Sequence, residues 1–291
     1  MISLSDWKTS GKYLSYHGYQ IFWRAAGAPE APVLLLIHGF PTASWDWEAL
    51  WRPLTERFHV LTLDMIGFGF SDKPTDYRYT IADQASLFEA FLTEQGVRRY
   101  HVLAHDYGDT VAQELLARQE EAGARPRLDS VCLLNGGLFP ETHRALLMQK
   151  LMLTPLGPVL AKFTSRARIA AAMRGIFGPQ TQPNAATLDN FWALLSYNNG
   201  TAVMPALMRY ITERKENRER WVGALQNTRV PLKVIDGAVD PISGAHMVER
   251  YGELIHDPDV TLLENIGHYP QVEAPEQVLA AFLEFLKKHN I

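Results

Sequence analysis

The chain has 291 residues, of which 47% are hydrophobic and 21% charged, and a formal net charge of −4. A chain of that length and make-up buries a large core without metals or disulfides and is far from the composition of a disordered protein. The weak negative charge and the lack of a long basic run exclude an electrostatic footprint for nucleic acid or an anionic membrane surface.

The opening stretch, MISLSDWKTSGKY, lacks the apolar centre of a signal peptide, and no apolar run reaches the roughly 18 residues of a membrane span. A soluble, cytoplasmic protein is expected. Residues 13–16 and 19–23 alternate around His17-Gly18 and predict an antiparallel strand pair. Then the pattern changes to short continuous apolar runs at 33–37, 60–63, 102–104, 131–134, 232–235 and 260–263, the signature of strands buried on both faces. The single cysteine, Cys132, sits in one of these runs and reads as a small buried hydrophobe. Amphipathic helical patterns lie between most runs, as at 81–95, 110–118 and 274–288, so the expected class is α/β with a mostly parallel sheet covered by helices.

One interval breaks the alternation. Residues 138–221 show only helical periodicity, cut by Pro140, Pro155, Pro158, Pro179, Pro183 and Pro205, and predict an inserted helical cap. The core is then 1–137 and 222–291. Within the cap the run ERKENRER, 213–220, mixes both charge signs and reads as a solvated helix face.

The sharpest local signal is YHVLAHDYGDTVAQ, 100–113, where an apolar strand meets a turn and leaves as a helix. Such a crowded turn needs small residues two positions either side of its apex, and Ala104 and Gly108 meet that need around Asp106. This is the form of a nucleophile elbow, with AxDxG where serine enzymes carry GxSxG. Upstream, HGFP at 38–41 follows a strand and sets the backbone N–H of Phe40 to face the elbow; with the N–H of Tyr107 it makes a two-donor oxyanion hole. The glycine-dense DMIGFGFSDKP, 64–74, reads as architecture. Downstream, Asp240 follows the strand at 232–235 and His268 follows the strand at 260–263, which gives the chain order nucleophile, acid, histidine. The other histidines show no metal-ligand spacing, so no metal and no cofactor is expected.

A carboxylate attacking an ester would give a reactive anhydride, so an aspartate at the apex suits a saturated carbon bearing a leaving group. Displacement there yields an alkyl ester of Asp106, which His268, supported by Asp240, can hydrolyse with an activated water. A departing halide needs N–H donors such as a Trp indole and an Asn amide, whereas an epoxide oxygen needs a proton from an acid such as a phenol. Tyr107 stands where the Trp would be and Phe40 where the Asn would be, which favours the epoxide. No arginine follows the nucleophile to grip a carboxylate, which counts against haloacid substrates. Phe40, Trp45, Tyr107 and Tyr269 flank the motifs and predict a mostly hydrophobic pocket.

With HGFP, DxxGFGxSDKP, HDYGD, VDP and GHYP in order, the chain resembles the epoxide hydrolase and haloalkane dehalogenase branch of the α/β-hydrolase fold over about residues 7–285. HDYGDTVAQELLAR, NGGLFPETHR and RYITERKENRERW are closest to the mesoderm-specific transcript family. The resemblance implies Asp106 as nucleophile, His268 as base, Asp240 as its partner, Phe40 and Tyr107 as oxyanion donors, and a cis Phe40–Pro41 peptide. It also aligns Tyr210 with the second of two cap tyrosines that protonate an epoxide. The first has no match; Tyr197 lies too late in the cap, and His143 or Trp192 are the remaining donors. His38, Trp45, Tyr197 and Tyr269 are the candidate substrate-binding residues. The expected partner is a small apolar organic molecule with water, and the expected assembly a monomer or homodimer. A haloalkane dehalogenase and an idle binding protein of the same fold stay open as alternatives.

Overall fold

The computed structural model of the chain describes residues 2–119, 121 and 125–291. Its eight strands are β1 (Lys12–Tyr16), β2 (Tyr19–Ala26), β3 (Val33–Ile37), β4 (His59–Leu63), β5 (Arg99–His105), β6 (Arg127–Leu134), β7 (Leu232–Gly237) and β8 (Val260–Leu263). They form one sheet in the order β1-β2-β4-β3-β5-β6-β7-β8. The pairs β1–β2 and β2–β4 are antiparallel and every other pair is parallel. This is the α/β-hydrolase fold, a mostly parallel central sheet flanked by helices.

The apolar runs become strands because each is covered twice. Leu34 to Ile37, Val60, Leu61 and Leu63, and Val102 to Ala104 are all fully buried, as expected when helices lie on both faces of a parallel sheet. Cys132 is buried in β6 beside them. The run in β8 behaves differently: Leu262 is 43% exposed, because β8 is the sheet's edge and pairs only with β7.

Between β6 and β7 the chain passes through helical segments from Leu147–Met152 to Arg218–Asn227 and makes no strand among its described residues. The last of these, Arg218–Asn227, packs on the helix Tyr107–Gln119 of the core, so the expected boundary at 221/222 cuts through a helix that belongs to the layer around the sheet. Among the described residues no helix is long and apolar enough to cross a membrane.

The parallel strands all point their C-terminal ends to one edge, where β5 breaks sharply into the helix Tyr107–Gln119. Gly108 makes that break possible. A Cβ there would lie 2.6 Å from the carbonyl oxygen of Ile37 and 2.7 Å from that of His38, both backbone atoms of the neighbouring strand end. Gly108→Ala is therefore expected to destabilise the fold by about 1–3 kcal/mol, the usual cost of overpacking a tight site, and urea unfolding followed by circular dichroism would measure it.

Candidate active site

Asp106 occupies the apex between β5 and the helix Tyr107–Gln119 with φ of 48°, a left-handed conformation that Asp tolerates better than most residues. Holding it there costs on the order of 1–3 kcal/mol, which the surroundings offset. The Asp106 N–H donates to the carbonyl of Leu134 at 3.1 Å, and its own carbonyl accepts from the N–H of Asp109 at 3.1 Å. The carboxylate is buried, and its two oxygens face different partners. Oδ2 accepts from the Phe40 N–H at 3.1 Å and lies 4.0 Å from His268 Nε2, while Oδ1 lies 3.7 Å from Arg214 Nη2.

His268 and Asp240 come together as the chain order predicts. The Nδ1–H of His268 donates to Asp240 Oδ2 at 2.7 Å, leaving Nε2 turned toward Asp106. Burial pushes the His268 pKa down, but the charge and hydrogen bond of Asp240, and then the charge of Asp106, outweigh it and raise the value to about 9. Asp240 is the converse. Burial would raise its pKa, yet the charge of His268, its hydrogen bond and further donors hold it down at about 2. Those donors are the N–H of Ile242 at 2.8 Å, the N–H and hydroxyl of Ser243 at 3.1 and 2.9 Å, and the amide of Asn135 at 3.0 Å.

Asn135 was not singled out in the sequence, although it opens the NGGLFP run. It sits just past β6 with φ of 46°, and its Oδ1 accepts from the Gly237 N–H at 2.8 Å. Asn135 thereby fixes the end of β7 and the Asp240 carboxylate at once.

The peptide of His268 is held from two sides. Its N–H donates to the carbonyl of Ile176 in the inserted helices at 2.8 Å, and its carbonyl accepts from His105 Nε2–H at 2.7 Å. Glu273 ties the same loop down, accepting from the N–H of Gly267, Tyr269 and Gly178 at 3.0, 3.0 and 2.7 Å.

On the other side of Asp106 the HGFP loop is braced by its neighbours, and its Phe40–Pro41 peptide is cis. His38 donates from Nδ1 to the Gly39 carbonyl at 2.9 Å and accepts at Nε2 from the Met65 N–H at 3.0 Å. Both ring nitrogens are spent on backbone, so His38 joins the HGFP and DMIG loops and has none left for a substrate. Tyr269, fully buried, donates its phenol to the Phe40 carbonyl at 3.2 Å and stacks on Phe177. It shapes the oxyanion loop from behind. The Tyr107 N–H opens the helix beside Asp106, and no hydrogen bond from it to the carboxylate is present among the described residues.

Two further candidates lie elsewhere. Trp45 donates from Nε1 to the Ile2 carbonyl at 3.2 Å and packs edge-on against Phe191, which makes it a brace for the inserted helices. The ring of Tyr197 lies against Phe70 and between Lys8 and Lys73, whose Nζ atoms are 4.4 and 5.1 Å from its centroid. Cation–aromatic packing holds it there, and no hydrogen bond or ring contact joins it to Asp106, His268 or Tyr210 among the described residues.

Tyr210 does reach the site. It is buried, with its ring 4.8 Å from that of Tyr107 and 6.3 Å from that of Phe40. Burial raises the pKa of its phenol, the charge of Asp106 raises it further, and Arg214 lowers it. Arg214 is the residue that sequence reasoning misplaced. It belongs to the run read as a solvated face, yet it is 2% exposed. One helical turn beyond Tyr210, it lies on the same face of the helix Tyr210–Glu216 and is turned inward with it. Its Nε donates to Thr110 Oγ1 at 2.7 Å and its Nη2 to the Asp106 carbonyl at 3.0 Å. The spacing from Tyr210 was the available signal.

A carboxylate at an elbow, a histidine backed by a second carboxylate and an N–H on the first carboxylate's oxygen stand together at the C-terminal edge of the sheet. The chain belongs to the α/β-hydrolase fold family, whose model matches residues 32–275. It is a hydrolase of that superfamily. It is similar to the mesoderm-specific transcript protein of Mus musculus, 43% identical over 296 residues covering 98% of this chain and 88% of the relative. It is also similar to haloalkane dehalogenase 2 of Mycobacterium bovis, 25% identical over 258 residues and 87% of each chain. Among solved structures, a haloalkane dehalogenase DbeA-M1 loop variant from Bradyrhizobium elkanii superposes with a TM-score of 0.80 at 20% identity, covering 97% of this chain and 98% of that one.

The charge of Asp106 is one of the causes that raise His268, so removing it has a defined sign. In Asp106→Asn the pKa of His268, about 9 in the native chain, is expected to fall. An NMR titration of the imidazole would read the shift, and an unchanged value would mean the two groups do not interact. The same elevation has a stability consequence. Protonated His268 stabilises the fold fully below about pH 6.5, and that contribution is lost as pH rises through about 9.

Proposed function

We propose that the protein is a hydrolase with an aspartate nucleophile that opens epoxides to diols through a covalent ester on Asp106. The observation that carries this reading is the division of labour between the Asp106 oxygens. Oδ2 already accepts from the Phe40 N–H, where a developing oxyanion would sit, and Oδ1 is left for attack. In the first half-reaction the Oδ1 lone pair forms a bond to an epoxide carbon, the ring C–O bond breaks, and the freed oxygen takes the phenol proton of Tyr210. Arg214, which lowers the Tyr210 pKa, steadies the tyrosinate.

In the second half-reaction His268 Nε2 removes a proton from water as the water oxygen attacks Cγ of Asp106. The tetrahedral oxyanion forms on Oδ2 against the Phe40 N–H, with Tyr107 N–H as the second donor. Collapse breaks the Cγ–Oδ1 bond and expels the diol oxygen, which takes its proton from His268; the second water proton, left on the Asp106 carboxyl group, passes to the Tyr210 tyrosinate and restores both groups. Asp240 keeps the imidazole oriented and its positive charge matched throughout. We take the helical insertion, 138–221, as the cap that covers this chemistry.

A haloalkane dehalogenase is the second reading, favoured by the 25% identity to the Mycobacterium bovis enzyme over most of both chains. Brominated alkanes and styrene-type epoxides assayed side by side separate the two. The shared covalent step has its own test. His268→Gln incubated with epoxide should accumulate an alkyl adduct on the peptide bearing Asp106. Single turnover of the native chain in heavy-oxygen water should leave label in the Asp106 carboxyl group. Label confined to the product would overturn the covalent mechanism.

A further inference from the structure

Large apolar side chains on the surface of this chain are not evenly spread. Nine are exposed among the described residues, and five of them, Leu147, Leu151, Leu156, Val159 and Phe163, fall within one short stretch of the insertion. Exposure reaches 73% at Leu147 and 61% at Phe163, whereas Tyr13, Val239, Leu262 and Ile291 lie singly elsewhere. Isolated apolar residues on a surface are ordinary; a cluster of this kind marks a contact.

Helical spacing builds the cluster. In the helix Leu147–Met152, Leu147 and Leu151 stand one turn apart and face outward while Met152 is buried. Leu156, Val159 and Phe163 recur every three or four residues along and just beyond the helix Gly157–Ala161, whose Gly157 and Ala161 turn inward. The two helices pack on each other, and the second also packs on Met204–Leu207, shortly before Tyr210. A Cβ on Gly157 would overlap the Met152 carbonyl oxygen and meet the Pro205 ring, so that seam admits no further side chain and the five apolar residues stay outside it.

Charge identifies the partner. Six of the chain's 28 cations, Arg144, Lys150, Lys162, Arg166, Arg168 and Arg174, and none of its 32 acids lie within 142–188. All six are exposed, and among the described residues only Arg166 has an acidic partner, Asp189. The net charge of −4, which excludes an anionic membrane surface for the chain as a whole, averages this segment away. A second copy docked through the same face would set these cations against themselves. An acidic protein is also a poor match, because Leu and Val seldom anchor protein interfaces. Exposed Leu and Phe among Lys and Arg, whose stems reach past them to place the charge higher, are the make-up of a helix lying in the headgroup layer of a bilayer.

We propose that the helices Leu147–Met152 and Gly157–Ala161 dock the chain on an anionic lipid bilayer, with the five apolar side chains entering the acyl boundary and the cations of the segment meeting lipid phosphates. The contact is peripheral, since among the described residues no helix is long and apolar enough to cross a membrane. It replaces the expectation drawn from whole-chain charge and depends on neither the nucleophile nor the substrate.

Co-sedimentation with vesicles tests the docking. In low salt the native chain is expected to bind vesicles of equal parts phosphatidylcholine and phosphatidylglycerol at least about tenfold tighter than vesicles of phosphatidylcholine alone, and about 0.5 M sodium chloride should weaken that binding. Leu156→Ser with Phe163→Ser should lower the affinity by about tenfold or more, and Lys150→Glu with Lys162→Glu should abolish the preference for phosphatidylglycerol. All four positions are exposed, and thermal melts of both pairs should match the native chain. If a pair fails to fold, Phe163→Ser and Lys162→Glu alone should show the same losses in smaller measure.

No binding of the native chain to the anionic vesicles, or binding that neither pair changes, would overturn the proposal. So would either of two results obtained without vesicle binding. Concentration-dependent dimerisation that the serine pair abolishes would give the face to a second copy, and capture by poly-glutamate that the glutamate pair abolishes would give it to an acidic protein.

Discussion

The negative charge on Asp106 is the constraint to which the rest of the site is fitted. It stands within 4.0 Å of His268 Nε2 and 3.7 Å of Arg214 Nη2, and it raises the pKa of His268, Tyr210 and the neighbouring Asp109. In the proposed mechanism each of these groups changes when a covalent bond cancels that charge. His268 becomes easier to deprotonate, which readies it as a base for water. Tyr210 becomes a stronger acid at the stage where an oxygen needs a proton. In the proposed mechanism no other moving part is required for the first half-reaction to prepare the second.

Sustaining such a charge in a buried setting needs a surrounding network with few loose ends. Asp240 takes four donors besides His268, so its ion pair with that imidazole is saturated. Burial and then the charge of Asp240 push the pKa of Asp236, close by, well up.

Much of the fold was legible because continuous apolar runs have one stable home, a sheet covered on both faces, and seven of the eight strands meet that condition or pair with those that do. The Asp106, Asp240 and His268 constellation was legible too, since each sits just past a strand end where little else is tolerated. What escaped was set by three-dimensional facing. The charged run containing Arg214 looks solvated in one dimension, but its helix turns one face inward beside Tyr210, and the buried arginine follows from that rotation. His38 and Trp45 lie in recognisable motifs, yet a motif does not say which way a side chain points. Asn135 contributes through an amide and a left-handed backbone, neither of which leaves a spacing pattern. The short helix Leu4–Thr9, capped by Ser3 and anchored by the fully buried Trp7, is too brief for periodicity to reveal.

The clamp on the His268 peptide has a consequence for how such enzymes diversify. Because the carbonyl of Ile176 and the amides of Gly178 and Gly267 converge with Glu273 on the segment that carries the imidazole, the inserted helices and His268 share one foundation. Transplanting that insertion from a cousin to borrow its selectivity would tilt the histidine along with the walls of the chamber. An exchange that carries both segments together, or side-chain changes that leave their seam untouched, would avoid that tilt.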